Sequence, residues 1–215
     1  MTQYENEVKK RDVMCCMNAG NQGCGRKWSR MRIITDTGTD ILDIEAKKLG
    51  IELVAIRSNF TDTVFSENTE AEFTRFYDKL RQTDTLPVSS QPSPAEFLEL
   101  FEDAKEKQEE VVVITISSKL SGTYNGAMLA KDMAEYDNIY VVDSLQASLS
   151  ERLLVEYAVK LRDAGMGAKE LVRKLEQDRE RVILTGVPST LLYLKMGGRI
   201  SPVVAAVGGV IGIKP

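Results

Sequence analysis

The sequence contains no histidine. That absence removes the commonest general base, every Ser-His or Cys-His nucleophile pair and the commonest metal ligand. An enzyme built on this chain would have to use carboxylates, lysine or a borrowed group. Cysteine is scarce and poorly placed for chemistry. Cys15, Cys16 and Cys24 all fall in the first 25 residues, an odd count whose spacing fits neither a zinc site nor a disulfide framework. There is no basic excess either. The net charge of -4 gives no electrostatic case for nucleic acid, and no basic helix argues for a membrane surface. No apolar run reaches the length of a bilayer span, and the N-terminus has no apolar signal-peptide region. A cytoplasmic protein without membrane insertion is the expectation, and no metal or other cofactor is expected.

What is present is the composition of a soluble globular protein, 43% hydrophobic and 28% charged over 215 residues, enough for one large domain or two smaller ones. Residues 1–30 are polar and lack sustained periodicity, which predicts a disordered leader outside the fold. The pattern changes at Met31, where Arg32 to Thr35 reads as a strand ending in Asp36-Thr37-Gly38-Thr39. A helix follows with Leu42, Ala46 and Leu49 on one face and Gly50 as its stop, then a second strand over residues 51–56.

Three further helices carry start signals of the form Ser/Thr-x-x-Glu, the capping box. Thr69 and Glu72 precede the apolar face Phe73, Phe76, Tyr77 and Leu80. Ser93 and Glu96, with Pro94 at the first helical position, precede Phe97, Leu100, Phe101 and Ala104. Ser148 and Glu151 open a helix whose inward face is Leu154, Ala158 and Leu161. Between the second and third of these lies residues 111–116, a run with the β-branched content of a strand buried on both faces. A strand over 138–142, a helix around Leu171, Val172 and Leu175, and a strand over 182–185 complete the alternation. The charge run over 102–110 reads as the solvated end of its helix.

Strands alternating with helices predict an α/β fold, a parallel sheet wrapped by helices over residues 31–180, with residues 181–215 beginning a second α/β domain. In such sheets ligands bind beyond the carboxyl ends of the strands. Three strand exits carry small hydroxyl or acidic residues: Asp36-Thr37, Ser117-Ser118 and Asp143-Ser144, and the Ser89-Ser90 loop joins them. The stretch 114–127 is the most informative, because its strand breaks into Ser117, Ser118, Lys119, Leu120, Ser121, Gly122 and Thr123. A helix face at Ala127, Ala130 and Ala134 then follows. Ser121 reads as the N-cap and Gly122 as the residue that lets a ligand approach the backbone. The free N–H groups of that helix start favour an anion. Taken alone, this is also an ordinary capped turn. Near the end, Gly197-Gly198 stop a short helix over 188–196. Arg199 then stands beside the charge-free run at 203–213, too short to span a bilayer.

The ordered motifs IITDTGTDI, SSQPSPAEF, ISSKLSGTYNGA, VVDSLQASLSERLLV and YLKMGGRISP…IKP resemble the DegV family, bacterial fatty-acid-binding proteins that present acyl chains to a fatty acid kinase. The resemblance covers residues 31–215. It implies a two-domain α/β protein holding a long-chain fatty acid between domains. The carboxylate would be gripped at Ser89 and Ser90 in the SSQPS segment, at Ser121, Gly122 and Thr123 in LSGT, and by Arg199 in GGRIS, with no catalytic residue. Two departures stand out. Ser89 replaces a usual threonine, and Ser150 and Arg152 replace glycines common after VDS. The family also continues for several dozen residues beyond the position of Pro215, including a histidine at the head-group site, so a C-terminally truncated member is expected. The alternatives are a small-molecule phosphotransferase or hydrolase using Ser121 or Asp36, or a non-functional fragment. The enzyme reading lacks a GxxxxGK[ST] loop and a GxSxG elbow.

Overall fold

The computed structural model describes residues 31–83, 85–186 and 192–200. Expectations for the leader 1–30, for residues 187–191 and for the apolar run 203–213 lie outside the described residues.

Four strands form a parallel sheet in the order β2-β1-β6-β7, with β1 at Met31–Asp36, β2 at Glu52–Val54, β6 at Glu110–Thr115 and β7 at Ile139–Asp143. The register runs Ile33↔Val112 and Ile34↔Val113 between the two central strands, and Val113↔Val141 between β6 and β7. Side chains alternate across this sheet, and both faces are apolar. Ile33, Val112, Ile114 and Val142 build one core layer. Ile34, Val111, Val113 and Ile139 build the other. This double burial explains why β6 reads as an unbroken Val/Ile run rather than an alternating one.

Each layer is closed by helices whose apolar stripes match it. On the first face lie α1 (Asp43–Leu49), α5 (Leu149–Asp163) and α6 (Ala168–Asp178), which contribute Ala46, Val155, Ala158, Leu171 and Leu175. On the second lie α3 (Pro94–Glu106) and α4 (Thr123–Ala134). There Phe97, Phe101 and Ala104 meet Ala127, Ala130 and Ala134. The small residues of α4 let it pack closely against the two phenylalanine rings of α3. α1 stops where expected, with Gly50 in the left-handed region at φ 61. α3 starts where expected, with Ser93 and Glu96 forming a reciprocal capping box and Pro94 in the first turn.

The structure corrects several expectations. The strand over 51–56 is two short strands in different sheets. β2 ends at Val54, and β3 (Arg57–Asn59) pairs antiparallel with β4 (Val64–Phe65) and β5 (Val88–Ser90). This second, three-stranded sheet has the order β4-β3-β5. Residues 182–186 are not a strand: after a 3₁₀ turn at Arg179–Arg181 the backbone is irregular, with Ile183 and Leu184 exposed. At α2 (Glu70–Arg81) Thr69 caps Glu72 N–H, but the Glu72 carboxylate accepts from Ser66 N–H at 3.2 Å instead of returning to Thr69. At α5 the box does not form at all, as described below. The short helix before the paired glycines is α7 (Leu192–Met196).

A candidate anion site beside apolar surface

The exits of β1, β6 and β7 are tied into one frame by carboxylates that accept from backbone. Asp36 Oδ2 accepts from Ile116 N–H at 2.8 Å, while its Oδ1 accepts from Gly38 N–H at 2.9 Å. Asp143 Oδ1 accepts from Ser118 N–H and Leu145 N–H, each at 3.1 Å. Between them Ser117 N–H donates to the Gln146 carbonyl at 2.8 Å. The loop leaving β6 is thus held at three successive amides from two neighbouring strands. Gln146 is itself anchored, donating from its side chain to the carbonyls of Arg179 and Val182. A loop whose backbone donors are all engaged is preorganised, so the side chains it displays keep their geometry.

Ser121 is displayed on that loop, but it is not the N-cap of α4. Gly122 occupies the capping position without a side-chain bond, and Ser121 Oγ lies 2.9 Å from Thr123 Oγ1 and 3.4 Å from Thr123 N. Ser121 therefore stands one residue outside the helix start, facing the groove, and buried Thr123 holds its hydroxyl in place. The close approach predicted at Gly122 has a specific cause. A Cβ there would lie 2.0 Å from Gln91 Oε1, so the glycine admits the Gln91 side chain over the helix start.

An open groove of about 600 Å³ collects Ser89, Ser90, Gln91, Ser118, Ser121, Gly122 and Arg199, with Ile56, Ile116, Leu120 and Leu194 as apolar walls. Five of the six residues singled out from the sequence line it. The sixth, Thr123, lies behind Ser121. Arg199 Nη2 donates to Ser89 Oγ at 3.2 Å across 110 positions of sequence, and Nη1 donates to the Gly197 carbonyl. Ser90 Oγ is used differently: it accepts from Asn59 Nδ2 on the neighbouring strand β3 at 3.0 Å. The small sheet reaches this edge because Arg57 on β3 pairs with Glu96 at the start of α3, 2.6 Å. That guanidinium, helped by Ser93, holds the Glu96 carboxyl down at about 2. Gln91 was missed in the sequence; its only signal was adjacency to two serines in a short extended piece.

A second cleft of about 350 Å³ adjoins the groove and shares Ile56 and Ile116 with it. Its walls include Phe65, Phe73, Phe76 and Tyr77, of which Phe65 and Phe76 stack edge to face at 5.5 Å. Among the described residues, no group of three or more acidic or sulfur side chains is arranged to hold a metal, and no helix is long and apolar enough to cross a membrane.

A family model described as "Uncharacterised protein, DegV family" matches residues 30–215. The chain belongs to the DegV family. A DegV domain-containing protein from Caldanaerobacter subterraneus is 32% identical over 186 residues, covering 86% of this chain and 66% of the relative. Among solved structures, a fatty-acid-binding DegV family protein from Thermus thermophilus matches with a TM-score of 0.71 and 30% identity, covering 83% of this chain and 64% of that one. The Fak B3 protein of Streptococcus pneumoniae, solved with linoleic acid, matches with a TM-score of 0.68 and 28% identity over 83% of this chain and 64% of that one. This DegV chain therefore spans about two thirds of the length of the relatives it matches. The mixed α/β architecture with a helix-flanked parallel sheet is the one these neighbours share.

Proposed function

We propose that this DegV protein binds a long-chain fatty acid, with the carboxylate in the groove and the acyl chain against the adjoining apolar cleft, and that it presents the head group to a fatty acid kinase. The observation that carries this reading is the convergence of Ser89, Ser121 and Arg199 on one groove. Two hydroxyls and one guanidinium make a donor set for a carboxylate, next to a cleft whose walls include the rings of Phe65, Phe73, Phe76 and Tyr77. The fatty-acid-binding relative from Thermus thermophilus and the relative solved with linoleic acid support the ligand class.

Magnitudes divide the work. Burying an acyl chain is worth about 0.8 kcal/mol per CH₂, on the order of 10 kcal/mol gross. A hydrogen bond to a charged carboxylate adds about 1.5–3 kcal/mol. The tail therefore sets affinity, and Ser89, Ser121 and Arg199 set orientation. Ser90 Oγ accepts from Asn59 Nδ2, which fixes its position and leaves its O–H free to donate as well. Gly122 and Thr123 shape the site without donating side-chain bonds to it. The reading is that of a carrier. Asp36, the acid an enzyme would need here, is fully buried and spends both carboxylate oxygens on backbone amides.

Organic extraction of the purified chain, followed by mass spectrometry, tests the ligand class. Co-purified fatty acid is the expected result. A bound nucleotide in place of lipid would overturn the carrier reading in favour of a phosphotransferase.

A further inference from the structure

Glu151 lies at the first turn of α5 in a position that reads as half of a capping box, yet it makes no cap. Ser148 sits at φ 53 with no side-chain bond to the helix, its hydroxyl donating to Asp40 instead. Glu151 turns inward, is wholly buried, and neither carboxyl oxygen has a hydrogen-bond partner among the described residues. The same point in the structure receives Asp36. A Cβ placed on Gly38 would be 2.7 Å from Asp36 Oδ1, 3.2 Å from Glu151 Oε2 and 3.1 Å from Ile116 Cδ1. Glycine at position 38 is what lets the two carboxyl groups nest side by side. The charged groups facing Glu151 from the elements packed on it are Asp36 on β1, Asp40 after the first turn and Asp143 on β7, all acidic. The buried Thr35 hydroxyl faces it from β1 and as a donor opposes the upward push on its pKa, at a geometry short of a full hydrogen bond.

Two like charges cannot both be held in such a place. We propose that Asp36 and Glu151 are a buried carboxyl pair holding one proton, and that this pair is the positioning unit of the 116–121 loop. Glu151 carries the proton, which leaves Asp36 free to accept from Ile116 N–H. Rotating that amide would move Ile116, a wall shared by the groove and the adjoining cleft, and with it the loop that displays Ser121. The effect on lipid rests on the proposed carrier function; the proton pair itself does not.

The electrostatics agree with the geometry. Burial, and after it the neighbouring acids, push Glu151 up to about 11. Burial raises Asp36 to about 6, against the opposing pull of its two amide donors. The pair titrates as a unit, so between those values it holds a single proton. Below about 6 Asp36 gains its own proton and its grip on Ile116 weakens.

Amide resonances of the ligand-free chain test the Asp36 half, and the melting of a Glu151 variant tests the pair. In the wild type, Ile116 and Gly38 N–H should shift together through one step near pH 6, and Asp36→Asn should abolish both shifts. Glu151→Gln, which imitates the protonated acid, should melt higher than wild type by a margin that widens from pH 5 to pH 9. Binding of cis-parinaric acid adds the functional arm. Asp36→Asn should weaken it roughly tenfold at pH 7, with the ratio to wild type shrinking toward one as pH falls below 6. Absent titration of the two amides would overturn the hold of Asp36 on the loop, and a Glu151→Gln variant that melts no higher than wild type at pH 9 would overturn the pair. A pH-independent affinity ratio would reduce Asp36 to a purely structural residue and overturn the positioning role. Failure of every form to bind the probe would overturn the carrier reading alone, leaving the melting of Glu151→Gln to decide the pair.

Discussion

At the start of α3, Ser93 and Glu96 close on one another near the surface. At the start of α5, Ser148 and Glu151 turn apart, one to Asp40 and the other into the core. Both carry the pattern Ser-x-x-Glu before an apolar helix face. What separates them is the neighbour each glutamate finds. Glu96 meets Arg57 and its pKa falls to about 2; Glu151 meets burial and the carboxylates of Asp36, Asp40 and Asp143, against which the Thr35 hydroxyl is a weak counterweight, and its pKa rises to about 11. A capping box is a local bargain, kept only where tertiary packing leaves both partners free to make it.

The two glutamates should therefore respond to pH in opposite senses, and Glu151 gives the larger effect. Its folded pKa is raised, so the native state keeps a proton the unfolded chain has lost. Stability then falls as pH rises from the usual carboxylate range near 4.5 toward about 11, by about 1.4 kcal/mol per pH unit. Glu151→Gln removes that slope and should stabilise the protein by something on the order of 3 kcal/mol at pH 7. Urea unfolding at pH 5, 7 and 9 measures it, and an unchanged slope would break the contrast.

Glu96 and Ser93 should show the reverse at smaller amplitude. Ser93→Ala is expected to cost about 1 kcal/mol through loss of the cap. Glu96→Ala should cost a similar amount at neutral pH, about 1 kcal/mol, since the pair with Arg57 is partly exposed. The depressed pKa of Glu96 means its contribution is present above about 4.5 and disappears as pH falls toward about 2. Melting curves of Glu96→Ala and wild type should converge over that window. Convergence on the alkaline side instead would show that Glu96 is unpaired in solution.

The smallest effect belongs to Ser148. Its backbone, at φ 53 and ψ -133, suits glycine better than any residue with a Cβ. Ser148→Gly should be stabilising by a few tenths of a kcal/mol, the gain being offset by loss of the hydroxyl's bond to Asp40. A clear loss of stability would mean that the link to Asp40, not the backbone strain, dominates the start of α5.

Much of this was legible in the residues. Period-3.6 stripes placed α1, α3 and α4, and the Val/Ile run of β6 announced a strand buried on both faces. Five of the six residues singled out line one groove: Ser89, Ser90, Ser121 and Gly122 stand in stretches whose small hydroxyls and glycine mark them, and Arg199 was marked by its place beside an apolar run together with the family resemblance. The misses share a physical origin. Residues 51–56 carry no breaker, so nothing local says that Val54 and Arg57 belong to different sheets; the antiparallel pairing Ser58↔Ser89 decides it. Val182, Ile183 and Leu184 have strand propensity but find no partner strand among the described residues, and propensity alone does not make a ladder. Ser121 looks like an N-cap, yet its hydroxyl meets that of Thr123 and the cap position falls on Gly122. Glu151 was invisible as a buried acid, because burial depends on Asp36 and Gly38, more than a hundred positions away.

The central claim is that the groove at Ser121 reads a carboxylate. Titrating Ser121→Ala and wild type with a fatty acid and with the fatty alcohol of equal length isolates that reading from every packing effect. Loss of the hydroxyl should weaken acid binding by about 1.5–3 kcal/mol, roughly tenfold to a hundredfold, while leaving the alcohol nearly unaffected. Equal losses for acid and alcohol would contradict the account, assigning Ser121 to the packing of the loop and not to recognition of the head group.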